Sequence, residues 1–131
     1  MRNKKGFTLV ELIIVIVIVG ILTIIATVAY RDHVRRSMAT EGKALLSAVA
    51  NAKRIYVARH GYFVNVAETS DCTMLHVDAR WNRYFTSFSV TNATTDSFTA
   101  TTHGSAEATG STVWVNVNLY QPTEVMRVSW Q

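Results

Sequence analysis

The sequence is poor in reactive chemistry. Cys72 is the only cysteine, so no internal disulfide can staple the fold. No glycine-rich phosphate loop and no Ser/His/Asp arrangement is present. The histidines His33, His60, His76 and His103 are scattered. Cys72 and His76 offer one thiol and one imidazole without the second pair that a zinc site needs. Asp71 and Asp78 lie nearby without the clustered oxygen ligands and turn glycine of a calcium loop. These gaps leave no cofactor or metal to expect and argue against an enzyme. One further absence is positive information: Leu12 to Ala29 contains no charged residue at all.

That uncharged run is 18 residues long. At about 1.5 Å per helical residue it covers roughly 27 Å, close to the ~30 Å hydrocarbon core of a bilayer. Arg2, Lys4 and Lys5 precede it, so the positive-inside rule puts the N-terminus in the cytoplasm and the rest outside. A secretory signal peptide and a plain uncleaved anchor are the competing readings. The apolar region of a signal peptide is usually about 7–15 residues and ends in a small-residue cleavage site. Here the run is longer, and Ala26-Thr27-Val28-Ala29 matches such a site poorly. The basic residues ahead of the run also explain the charge balance. The chain has 13 Lys and Arg against 9 Asp and Glu. Without those three, ten bases face nine acids, so the basic character is a topology signal and does not support nucleic-acid binding.

One carboxylate, Glu11, stands at the head of the apolar run. A carboxylate that enters lipid with a helix is costly and normally has a partner and a purpose. The segment Gly6-Phe7-Thr8-Leu9-Val10-Glu11-Leu12 resembles the processing site of type IV prepilins and of the pseudopilins of type II secretion. The resemblance implies cleavage between Gly6 and Phe7 by a prepilin peptidase, with N-methylation of Phe7. It further implies assembly through Glu11, Phe7 and Thr8, the Glu11 carboxylate meeting the terminal amine of a neighbouring subunit. Gly20 falls where the family usually has glycine. Val28 replaces the proline that many pilins carry, which leaves open whether the helix unwinds near Gly20. The lone Cys72 departs from the many pilins whose C-terminal loop is closed by a disulfide.

Beyond the run, Val34, Met38, Leu45, Val49, Ala52 and Tyr56 recur at spacings of three, four or seven, a stripe for packing on a sheet. Lys43 and Lys53 fall off that stripe. The close Asn51-Ala52-Lys53-Arg54-Ile55-Tyr56, with His60-Gly61-Tyr62-Phe63 behind it, resembles the end of the long pilin helix. Gly61 suits the position just past a helix end. Residues 61–83 show no sustained period and read as loop. Short strands then follow around Phe85–Val90, Ser97–Thr102, Val113–Tyr120 and Met126–Trp130, with a turn at Gln121-Pro122-Thr123-Glu124. In the best of them Val113, Val115, Val117 and Leu119 alternate with Trp114, Asn116, Asn118 and Tyr120.

The expected fold class is therefore α+β and type IV pilin-like. A leader (1–6) precedes an apolar helix (7–30) and an extracytoplasmic head (31–131), with helix 31–60, loop 61–83 and an antiparallel sheet of about four strands over 84–131. The resemblance implies a structural subunit of a pilus-like filament serving adhesion, twitching motility or DNA uptake. Its partners would be further copies of itself, prepilin peptidase, an inner-membrane assembly platform with an ATPase motor, and membrane lipid. Before assembly it would sit in the bacterial inner membrane, and afterwards in a surface pilus or periplasmic pseudopilus. A type II secretion pseudopilin is the alternative, and a membrane-anchored enzyme or binding module the remote one.

Overall fold

The computed structural model describes residues 6–119 and 126–130, and the chain divides into two compact units, Met1–Arg35 and Arg36–Gln131. Helix α1 runs Leu9–His60, 52 residues. Its first part includes Ile13-Ile14-Val15-Ile16-Val17-Ile18-Val19, β-branched residues that are no strong helix formers in water. In lipid the balance changes, because a helix is the one single-segment structure that satisfies every backbone N–H and C=O internally.

In the first unit every side chain from Phe7 to Val28 is exposed, and the helix is long and apolar enough to cross a membrane. The Thr23 and Thr27 hydroxyls donate to the carbonyls four residues back, Val19 and Thr23, each at 2.8 Å. Neither threonine therefore presents an unsatisfied polar group. The helix is continuous through Gly20 and Val28.

The second unit is a helix-on-sheet α+β head. Its helical face buries Met38, Ala39, Gly42, Leu45, Leu46, Val49, Ala50 and Lys53. The stripe read from the sequence is right at Met38, Leu45 and Val49, while Val34, Ala52 and Tyr56 are only half-buried. Lys53 is a correction: read as lying off the stripe, it is fully buried. Its methylene stem fills apolar space, and Nζ donates to the Val64 carbonyl. At Gly42 an added Cβ would stand 3.0 Å from Val113 Cγ2 and 3.1 Å from Phe85 Cδ2, so the missing side chain is what lets helix and sheet approach. The helix ends as expected at Gly61, whose φ is +84° and whose N–H donates to the Val57 carbonyl at 2.8 Å.

Strands β1 (Val66–Thr69), β2 (Asp71–Cys72), β3 (Val77–Asp78), β4 (Phe88–Thr91), β5 (Ser97–His103), β6 (Ser111–Asn118) and β7 (Met126–Trp130) follow. The main sheet is antiparallel with order β1-β4-β5-β6-β7, and β2 pairs with β3 in a separate hairpin. The sheet thus has five strands rather than four, and the stretch read as loop contains three strands. Two physical reasons hid them. Strands of two residues cannot show an alternation, and β1 has its two middle residues exposed and a register irregularity against β4. From β4 onward the alternation is faithful within the strands, but Leu119, expected on the apolar face with Val113, Val115 and Val117, lies past the end of β6 and is exposed, and Tyr120 lies outside the described residues. Phe88 and Val90, Phe98 and Ala100, and Val113, Val115 and Val117 are buried on the helix side. Cys72 is buried, opposite Val77. The expected turn at 121–124 lies outside the described residues.

Candidate functional site at the head of the apolar helix

Gly6 and Phe7 precede the helix. A Cβ on Gly6 would meet nothing within 4 Å, and Phe7 is 79% exposed. The helix proper is opened by Thr8. Its Oγ1 accepts the Glu11 N–H at 3.2 Å, its carbonyl accepts the Leu12 N–H at 3.3 Å, and its hydroxyl donates to Glu11 Oε2 at 3.4 Å. Thr8 is thus an N-cap and Glu11 the residue three positions on, the spacing of a capping box. A carboxylate there also lies at the positive end of the helix dipole, a favourable place for an acidic side chain. The structure brings Thr8 and Glu11 together within one chain. Among the described residues no ion pair reaches Glu11.

The sequence points to Thr8 and Glu11 for assembly, and the structure adds that the two bind each other. The Thr-x-x-Glu spacing immediately before an apolar run was the available signal. Chemically the pair places one carboxylate in a fixed position at the head of a helix whose next 18 residues, Leu12 to Ala29, carry no charge. Such a site can bind a cation or ammonium and cannot perform acid–base turnover alone.

In the second unit the polar clusters are already engaged. Glu41 on α1 accepts three successive backbone N–H groups, from Arg83 at 3.2 Å, Tyr84 at 2.6 Å and Phe85 at 2.9 Å. It ties the segment before β4 to the helix, a role that sequence reasoning missed because the partners are main-chain atoms some forty residues away. Arg80 Nε and Nη2 bond Asp78 at 2.9 and 2.8 Å, with Asp71 at 3.3 Å from Nη2. The Arg80 side-chain bonds, then its backbone N–H, hold the Asp78 carboxyl down at about 2. Asp71 and Asp78 are therefore ion-pair partners of Arg80. Among the described residues no group of three potential metal ligands is present. A groove of about 1120 Å³ runs beside α1, lined by Ala44, Ala48 and Ile55 on one side and Met74, Leu75 and His76 on the other.

Comparison with known proteins adds sequence relatives. The family model described as the prokaryotic N-terminal methylation motif matches residues 1–27. The type IV major pilin protein PilE1 of Neisseria gonorrhoeae is 45% identical over 58 residues, 44% of this chain and 35% of that protein. A fimbrial protein of Neisseria meningitidis is 45% identical over the same length, 34% of its own chain. The type IV major fimbrial protein FimA of Dichelobacter nodosus is 55% identical over 42 residues, 32% of this chain and 26% of its own. The chain thus spans about a quarter to a third of the length of the curated relatives it matches. No solved structure gives a significant match.

Proposed function

We propose that this chain is a structural subunit of a type IV pilus-like filament, held in the membrane before assembly and exposed on the surface after it. The observation that carries the reading is the apolar half of α1. It bears the matched methylation motif, it presents one carboxylate and no other charge from Leu12 to Ala29, and none of its most apolar 18-residue stretch is buried within its own chain. Such a surface needs lipid and then protein around it.

In this reading prepilin peptidase cuts between Gly6 and Phe7, and the new Phe7 amine is methylated. The exposed, unencumbered geometry at Gly6 and Phe7 supports access by a peptidase. The Glu11 carboxylate of one subunit then pairs with the Phe7 amine of a neighbour. Thr8 fixes the carboxylate for that encounter and, together with the helix dipole, reduces the cost of carrying it in lipid before assembly. The transfer from lipid to filament core exchanges one apolar environment for another, so packing and polar pairing must supply the drive. An inner-membrane platform and ATPase motor provide the work of extraction. The role is structural rather than catalytic, and adhesion, twitching motility and DNA uptake are the activities it fits.

Intact-mass measurement on the envelope protein tests the processing step. The expected product begins at methylated Phe7, and Gly6→Val should accumulate the longer precursor. A mature filament subunit that retains Met1 would overturn the reading.

A further inference from the structure

Where the apolar run of α1 ends, its surface changes within two turns. Tyr30 is 69% exposed, and Arg31, Asp32, His33, Arg35 and Arg36 behind it are exposed as well, while the helix continues unbroken. Neither the processing step nor the Glu11 pairing uses these side chains. Their depth follows from helix geometry once Leu12 to Ala29 fills the hydrocarbon core. Tyr30 then stands at the edge of the core, with Arg31 about 1.5 Å and Arg35 about 7.5 Å further along the axis. A bilayer is about 40–45 Å thick with its headgroups and ~30 Å without them, so each headgroup layer is about 5–8 Å deep. Helical side chains lean toward the N-terminus, here toward the membrane. Both guanidiniums are thus placed among lipid phosphates.

The chemistry of these groups converges. Residues four apart share one helix face, with Cβ atoms about 6 Å apart, so Arg31 and Arg35 are neighbours. A guanidinium presents a planar fork that matches two phosphate oxygens. Tyr30 is an aromatic of the kind that settles at the membrane–water boundary, its ring toward the acyl chains and its hydroxyl toward the headgroups. Asp32 is the one acid of the stretch, and Arg31, Arg35 and Arg36 keep the net charge positive. We propose that Tyr30, Arg31 and Arg35 bind the phosphate of an anionic phospholipid, with phosphatidylglycerol as the simplest case. A zwitterionic headgroup brings its own ammonium to compete for the phosphate, whereas phosphatidylglycerol brings none. Nucleic acid offers the same phosphates but could reach these groups only by displacing the lipid layer around them. The proposal rests on the membrane placement given above and not on filament formation. In a membrane-held subunit such lipids add to the attraction that assembly must overcome.

The test uses the full chain in maltoside micelles, titrated with phosphatidylglycerol and followed by NMR of the backbone amides and the arginine Nε–H groups. Saturable shifts are expected at Tyr30 to Arg35. Half-saturation should come at about fivefold lower mole fraction for phosphatidylglycerol than for phosphatidylcholine, the gain that one cation at a charged headgroup layer supplies. Arg31→Gln and Arg35→Gln should each cost about fivefold in that affinity, and Arg31→Lys, which keeps the charge but not the fork, should cost less. Arg2, Lys4 and Lys5 flank the other end of the run, and residue-resolved shifts separate their response. Equal responses to the two lipids would overturn the proposal, as would shifts confined to the N-terminal flank. Inorganic phosphate at equal ionic strength should leave the signals in place; if it reproduced the shifts, the ligand would be a soluble anion and the proposal would fail. Contacts between the methyl groups of Leu12 to Ala29 and the detergent chains report the membrane placement. Their absence would overturn that placement and the proposal with it, whereas contacts without lipid preference would overturn the proposal alone.

Discussion

Replacing Lys53 with methionine tests how the head is packed. Lys53 is 0% exposed, donates from Nζ to the Val64 carbonyl, and lies 5.9 Å from the centroid of the Tyr56 ring. Burial lowers the ammonium from its ordinary 10.5 to about 8, while the nearby Cys72 sulfur acts in the opposite direction. The sign of the pH effect follows from proton counting. Between about 8 and 10.5 the unfolded lysine keeps its proton while the folded one has lost it, so the unfolded state binds more protons and stability rises with pH. At about 1.4 kcal/mol per pH unit, the drop from 10.5 to about 8 makes the penalty about 3 kcal/mol at neutral pH, relieved by pH 10.5. Lys53→Met keeps the length and removes the titration. At pH 7 the two proteins should differ by only about 1–2 kcal/mol, because the lost bond to Val64 offsets the removed penalty. The informative quantity is therefore the difference between them as pH changes. Tyr56, raised chiefly by its hydrogen bond with Tyr62, acts with opposite sign at high pH. Urea unfolding of the detergent-solubilised chain, read by tryptophan fluorescence from pH 7 to 10.5, should show wild type gaining on Lys53→Met by about 3 kcal/mol. Parallel curves across that range would refute the argument that an ammonium is buried there.

Three further outcomes are expected. Glu11→Ala should leave membrane insertion intact but cut sheared filament yield sharply, since an unpaired buried ammonium costs roughly 3–5 kcal/mol; Glu11→Gln, which can still fill the capping box, should fall between, and normal yield from Glu11→Ala would refute the pairing. Glu41→Ala should lower the unfolding free energy by about 2–4 kcal/mol, because the N–H groups of Arg83, Tyr84 and Phe85 lose their shared acceptor; an unchanged urea midpoint would contradict that. Gly42→Ala gains about 1 kcal/mol of helix propensity but overpacks against Val113 and Phe85, both 0% exposed, at about 1–3 kcal/mol. A net loss in melting temperature is expected, and a gain would show that the sheet can yield.

Some of this architecture could be read without coordinates because the signals are local. Eighteen uncharged residues behind a basic leader, a carboxylate at the head of the run, and Gly61 past the helix end each depend on near neighbours in sequence. The Val113, Val115, Val117 alternation is equally local, since period two on a half-buried strand needs no knowledge of the partner. Thr8 and Glu11 were legible as a capping pair too, three residues apart, though their joint role was passed over. Other features were fixed only by tertiary contact. Nothing in Lys53 distinguishes it from the exposed Lys43 until the Val64 carbonyl is brought to its Nζ. Glu41 looks like any surface acid on a helix until three main-chain N–H groups from a distant turn converge on it. β1 has no alternation of its own and becomes a strand through β4. The row of Thr101, Trp114 and Arg127 exists only because the register of β5, β6 and β7 aligns residues that lie 13 apart in the chain. Local periodicity and charge thus determined the long helix, its uncharged run and strands β4 to β7, whereas pairing register and long-range hydrogen bonds decided the short strands and which polar side chains are buried, satisfied or presented.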